Sequence, residues 1–128
     1  MAWIYVQATG ALLHGGTLVA TGYAGHGAGL DNPADEAVPG LGPLPAGQYT
    51  IGPPFTHPRC GPVSMRLAPS AGTREFGRFG FLMHGDNAAL NHTASDGCIV
   101  LPRSAREQVA ASADRELVVV STPSEIPG

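Results

Sequence analysis

Apolar residues along the chain fall in short runs broken by glycine and proline, and within the runs the period is closer to two than to 3.6. Residues 3–9 read as a first strand, 11–14 as a second and 17–24 as a third, with Gly10 and Gly15-Gly16 as the turns of a meander. Residues 25–45 lose the alternation and fill with Gly, Pro, Asn and Asp. A loop of that length is commonly functional. Its proline-rich end leads straight into a strand over 48–52, so it is expected to be ordered beside the site. Strands follow over 63–67 and 79–84. In the second of these, alternation sets Phe79, Phe81 and Met83 on one face and Gly80, Leu82 and His84 on the other. A short strand over 99–101 precedes Pro102, which suits the first turn of a helix over 103–111. Residues 116–122, with three consecutive valines, read as the last strand. The expectation is a mainly β protein with one short helix.

Composition narrows this further. A chain of 128 residues can bury one core and is short for two, so a single domain over 1–128 is expected. Eighteen glycines and twelve prolines against 13% charged residues favour a turn-rich β architecture over a helical bundle. The net charge of −3, with seven arginines and no lysine, leaves no basic footprint for nucleic acid. No apolar run approaches the roughly 18 residues of a membrane span, so no membrane insertion is expected. The first residues, Met1-Ala-Trp-Ile-Tyr-Val-Gln, lack the basic stretch and long apolar segment of a secretory signal. If the substrate lies outside the cytoplasm, another export route is expected.

The chemistry is concentrated between Met83 and Val100. His84 stands fourteen positions before Cys98, which follows a Ser95-Asp96-Gly97 turn. A thiol is a weak nucleophile until ionised, and a nearby imidazole can bring its pKa from about 8.5 into roughly the 3.5–7.5 range. The pair suggests acyl transfer, with Cys98 attacking an amide carbonyl and His84 taking the thiol proton and returning it to the leaving amine. Gly97 tolerates positive φ and leaves room for substrate, so the backbone N–H groups of Gly97 and Cys98 are expected to face the oxyanion. Either the carbonyl of Gly85 or the carboxylate of Asp86 could orient the imidazole. No cofactor is needed for this chemistry, and none is expected.

These residues resemble the L,D-transpeptidase signature, a histidine followed about fifteen residues later by Ser/Thr-His-Gly-Cys; here Asp96 stands where that turn has histidine. The longer spelling Phe81-Leu82-Met83-His84-Gly85-Asp86-Asn87 … Gly97-Cys98-Ile99-Val100-Leu101-Pro102-Arg103 is similar to a group of small L,D-transpeptidase-like effectors of type VI secretion, the Tlde1 group. The likeness extends to Gly22-Tyr23-Ala24-Gly25, Asn32-Pro33 and the segment from Gly42 to Tyr49. It implies an L,D-transpeptidase-like β-sandwich or barrel, with Cys98 as nucleophile, His84 as base, and Ser95, Asp96 and Gly97 shaping the turn. The substrate it implies is the tetrapeptide stem of peptidoglycan, cut between diaminopimelate and terminal D-Ala or exchanged with another D-amino acid. It further implies a monomer exported by a secretion machine, action in a rival's periplasm, and a cognate immunity protein in the producer. Asp96, so near the thiol, would have to point away or hold a cationic part of the substrate, such as the diaminopimelate ammonium. Arg78 and Arg103 are the nearest cations for a substrate carboxylate. Asp86 and Tyr23 are further candidates to line the cleft.

Two other readings use the same residues. His84, Asp86, His92 and Cys98 are all zinc-ligand types, although their spacing fits no strong zinc pattern. A non-catalytic cell-wall-binding module would leave Cys98 merely buried, or joined to Cys60 in a disulfide. His92, His14, His26 and His57 are expected on loops and turns, and Asp31 and Asn32 as turn caps.

Overall fold

The computed structural model describes residues 2–86, 95 and 97–126. Ten strands form one sheet: β1 (Trp3–Val6), β2 (Ala11–His14), β3 (Thr17–Thr21), β4 (Tyr23–Ala24), β5 (Gly47–Ile51), β6 (Phe55–His57), β7 (Gly61–Pro69), β8 (Leu82–His84), β9 (Ile99–Val100) and β10 (Glu116–Val120). One α-helix, α1 (Arg103–Ala111), lies between β9 and β10, and three short 3-10 turns complete the described chain.

The strands run in the order β3-β2-β1-β10-β5-β7-β8-β9-β4, with β6 paired to β7 beside that path. The two ends of the path, β3 and β4, are consecutive in sequence and separated only by Gly22. The sheet therefore curls until its edges nearly meet, which closes most of the hydrogen-bonding edge. Gly22 permits the corner: its N–H donates to the Gly10 carbonyl at 2.8 Å, and a Cβ there would lie 1.9 Å from the Val100 carbonyl oxygen. This break divides the single strand expected over 17–24 into β3 and β4.

Alternation fills the interior. In β5, Tyr49 and Ile51 are buried while Gln48 and Thr50 are exposed. Leu117 of β10 sits opposite Tyr49, and both are fully buried. Met65, Met83 and Ile99 join them, and α1 closes one side by packing Ala105 and Val109 against this core. Burying each of the larger aliphatic side chains, Leu117, Met65, Met83, Ile99 and Val109, stabilises the fold by roughly 1.5–3 kcal/mol.

Several boundaries differ from the sequence expectation. β1 stops at Val6, because the Val6 carbonyl accepts the N–H groups of Thr9 and Gly10 in a turn. The strand expected over 79–84 begins at Leu82: Gly80 has φ +75, which breaks the extended run and leaves Phe79 90% exposed instead of on the core face. β7 extends beyond 63–67 by two residues at each end, and its hairpin partner β6, a three-residue strand directly after Pro53-Pro54, was not expected. The helix over 103–111 has the expected bounds, with Pro102 as its N-cap.

Candidate active site

The two central residues meet through strand register. β8 and β9 are parallel neighbours, with Met83 opposite Ile99 and His84 opposite Val100. Carrying that register one step back sets Cys98 beside Leu82. Residues two apart on a strand share a face, so His84, Leu82 and Cys98 face the same way, while Met83 and Ile99 turn into the core. That face opens into a cleft of about 680 Å³, which both Cys98 and His84 line. Cys98 is partly accessible there, and His84 is 3% exposed.

The sulfur sits among backbone groups. The N–H of Leu82 donates to Cys98 Sγ at 3.3 Å, a donor that a thiolate would accept, and the Gly80 carbonyl oxygen lies 3.7 Å from the same sulfur. The imidazole is oriented by Gly85, whose carbonyl oxygen lies 2.7 Å from His84 Nδ1. With the Nδ1 proton directed there, Nε2 is left as the basic nitrogen. Burial lowers the pKa of His84; the Gly85 hydrogen bond and Asp86 oppose that, while Arg106 and His57 add to it. The net effect keeps the ring neutral at pH 7, the form a base requires. Asp86 takes a different partner: its Oδ1 accepts the Tyr23 hydroxyl at 2.6 Å. Of the two groups offered for orienting the histidine, the carbonyl of Gly85 holds Nδ1.

Ser95 ties the turn together. Its hydroxyl is fully buried, accepts the N–H groups of Gly97 (3.0 Å) and Gly25 (2.9 Å), and donates to the Cys98 carbonyl at 2.6 Å. The Gly97 N–H is therefore directed at Ser95, not at the cleft where an oxyanion would form. Gly97 contributes by its conformation: its φ is +129, and its Cα is approached so closely that an added Cβ would lie 2.1 Å from Arg78 Nη2. Ser95→Ala would strand the two buried N–H groups at about 1–3 kcal/mol each. Its urea midpoint is expected to fall by the equivalent of at least about 2 kcal/mol, measured by circular dichroism.

The long loop is ordered against this turn. Leu44 N–H donates to the Gly97 carbonyl at 2.8 Å, and Asn32 caps the 3-10 turn Pro33–Asp35. Asp31 accepts the Ala24 N–H at 3.1 Å. Arg78, buried to 8% exposure, threads into the loop: Nη1 donates to the carbonyls of Glu36 (2.6 Å) and Pro43 (2.8 Å), and Nη2 to that of Gly42 (3.0 Å). Arg78 lines the cleft, but its hydrogen bonds hold the loop while its guanidinium packs against Gly97. Arg103 lies elsewhere, paired with Glu107 at 3.5 Å and lining a neighbouring cavity of about 500 Å³ that Tyr23, Asp86 and Arg106 share. Asp86 borders both cavities. Asp96 and His92 lie outside the described residues. Cys60 and Cys98 are not joined in a disulfide, and Cys60 lines the same cleft. Among the described residues no three metal-ligating side chains gather.

Two features were not anticipated. Arg106, on the buried stripe of α1 with Ala105 and Val109, donates to the carbonyls of Leu101 (3.1 Å), Pro62 (2.8 Å) and Val63 (3.2 Å) behind Gly85. A charged residue on an apolar helix stripe was a readable signal. The β6–β7 hairpin brings His57, Arg59 and Cys60 to the cleft. There His57 Nδ1 accepts the N–H groups of Arg59 (3.0 Å) and Cys60 (3.1 Å), which fixes the turn.

A mainly β sheet curled almost shut, with a histidine at the end of one strand and a cysteine just before its parallel neighbour, both lining one cleft, defines a Cys–His protein on a β framework. Residues 19–124 match the Tlde1 domain, and the chain belongs to that family of type VI secretion effectors. The matched span contains every site residue described above. No curated protein and no solved structure matches the chain. No helix among the described residues is long and apolar enough to cross a membrane.

Proposed function

We propose that the protein is a cysteine L,D-carboxypeptidase and L,D-transpeptidase acting on the tetrapeptide stems of peptidoglycan. The observation that carries this reading is the shared face of Cys98 and His84 at one cleft, in a chain of the Tlde1 family. His84 Nε2 takes the proton from Cys98 as the sulfur attacks the carbonyl carbon between diaminopimelate and D-Ala. A C–S bond forms, and collapse of the tetrahedral intermediate breaks the C–N bond. The same proton passes from His84 to the departing amine of D-Ala. Water then attacks the thioester, releasing a tripeptide and regenerating the thiol; a D-amino acid in its place gives the exchanged tetrapeptide. The site of action in this reading is the periplasm of a target cell, and a cognate immunity protein would guard the producer.

Purified tetrapeptide muropeptides incubated with the protein and followed by mass spectrometry test the reading. Wild type is expected to yield tripeptide, plus exchanged tetrapeptide when D-amino acids are added. Cys98→Ala is expected to yield neither. Unchanged muropeptides with wild type, with or without D-amino acids, would overturn it.

A further inference from the structure

A carboxypeptidase must distinguish a chain end from a peptide interior, and the distinguishing group is the terminal carboxylate. Seven arginines are the only fixed cations of this chain, and six have other engagements. Arg78 and Arg106 donate to backbone carbonyls from buried positions. Arg115 donates to those of Ile51, Gly52 and Val109. Arg103 is paired with Glu107, and Arg66 and Arg74 lie over the rings of Phe55 and Phe76. Arg59 remains. It is exposed, lines the cleft that holds Cys98 and His84, and its guanidinium has no hydrogen-bond or ion-pair partner among the described residues.

We infer that Arg59 is the specificity-determining residue that binds the terminal carboxylate of the peptide substrate. This rests on the function proposed above and adds to it the group that restricts the site to chain ends. The backbone around Arg59 is set before any ligand arrives, because His57 Nδ1 holds the N–H groups of Arg59 and Cys60. The guanidinium offers the planar fork that a carboxylate accepts in two parallel hydrogen bonds, a geometry lysine cannot copy. The position also accounts for Arg78: the arginine closer in sequence to the nucleophile secures the loop, and the one on the distant hairpin is left to meet the ligand.

The test compares a free tetrapeptide with its C-terminal amide in wild type, Arg59→Gln and Arg59→Lys. Because Arg59 is exposed, the variants should fold as wild type does. For the free acid, Arg59→Gln is expected to raise KM by about tenfold or more with kcat changed by less than about threefold, and Arg59→Lys to recover only part of the loss. The amide should be a poor substrate for wild type and no worse for Arg59→Gln. Binding to the inert Cys98→Ala protein, followed by calorimetry, separates this inference from the chemistry. Tetrapeptide affinity that drops about tenfold on adding Arg59→Gln supports the carboxylate site even if no turnover is found. Normal turnover by Arg59→Gln, with the preference for free acid over amide intact, overturns it and leaves the catalytic reading standing.

Discussion

His84→Gln is expected to lower kcat/KM by about 10²–10⁴-fold while the cleft keeps its shape. Glutamine retains much of the volume and can still donate to the Gly85 carbonyl that holds Nδ1 in the wild type. It cannot accept the Cys98 proton. The thiol should therefore also react more slowly with iodoacetamide at pH 7, so a variant alkylated and turned over within about threefold of wild type would remove His84 from the mechanism. The pH profile carries a second signature. Burial, the largest influence on His84, lowers its pKa, so the acid limb of wild-type kcat/KM should fall below about pH 6.5. Stability follows the same sign. The folded state binds the His84 proton less tightly than the unfolded chain, so this contribution is fully present above about pH 6.5 and is lost as pH falls through the lower folded value. The drop in urea midpoint between pH 7 and pH 5 should be smaller in His84→Gln than in wild type.

Which parts of this site were legible in the chain depends on the range of the interaction that made them. His84 and Cys98 could be paired because His84 ends a strand, where a period of two assigns its side chain a face, and Cys98 immediately precedes the short strand that runs parallel to it. The helix was equally local, with Pro102 marking its start. Gly97 was read as the glycine of a tight turn, and its φ of +129 is of the kind glycine favours. Its N–H, expected at the oxyanion, goes instead to Ser95, because a buried hydroxyl two residues away is the nearer acceptor. The loop partners of Arg78 were not legible: proximity in sequence to the cysteine suggested Arg78 and Arg103 as carboxylate ligands, and the carbonyls that Arg78 holds come from a loop some 35–42 residues away, a contact that no local pattern encodes. Arg59 reaches the cleft on a hairpin whose first strand, Phe55–His57, is too short to establish an alternation.

The long-range contact of Arg78 makes Gly97→Ala the most damaging single methyl group in the site. At φ +129 an alanine is strained, which costs of order 1–3 kcal/mol. Its Cβ would also stand 2.1 Å from Arg78 Nη2 and 3.1 Å from the Gly42 carbonyl oxygen. Arg78 cannot simply swing aside, because the same guanidinium holds the carbonyls of Glu36, Gly42 and Pro43. Overpacking of this kind adds about 1–3 kcal/mol. Together these take roughly 2–6 kcal/mol from a total that for most proteins is about 5–15. At roughly 4 °C per kcal/mol, the melting temperature should fall by about 8–24 °C, with turnover reduced in whatever protein stays folded, since Cys98, the proposed nucleophile, is the next residue. Gly72→Ala isolates the backbone part of this cost: its φ is +92, but nothing lies within 4 Å of the added Cβ, so its loss should be the smaller of the two. Adding Arg78→Met to Gly97→Ala relieves the clash, so the double variant should lose less stability than the two single losses combined. Full additivity, or a Gly97→Ala protein that melts no lower than Gly72→Ala, would mean that the guanidinium does not confine Gly97.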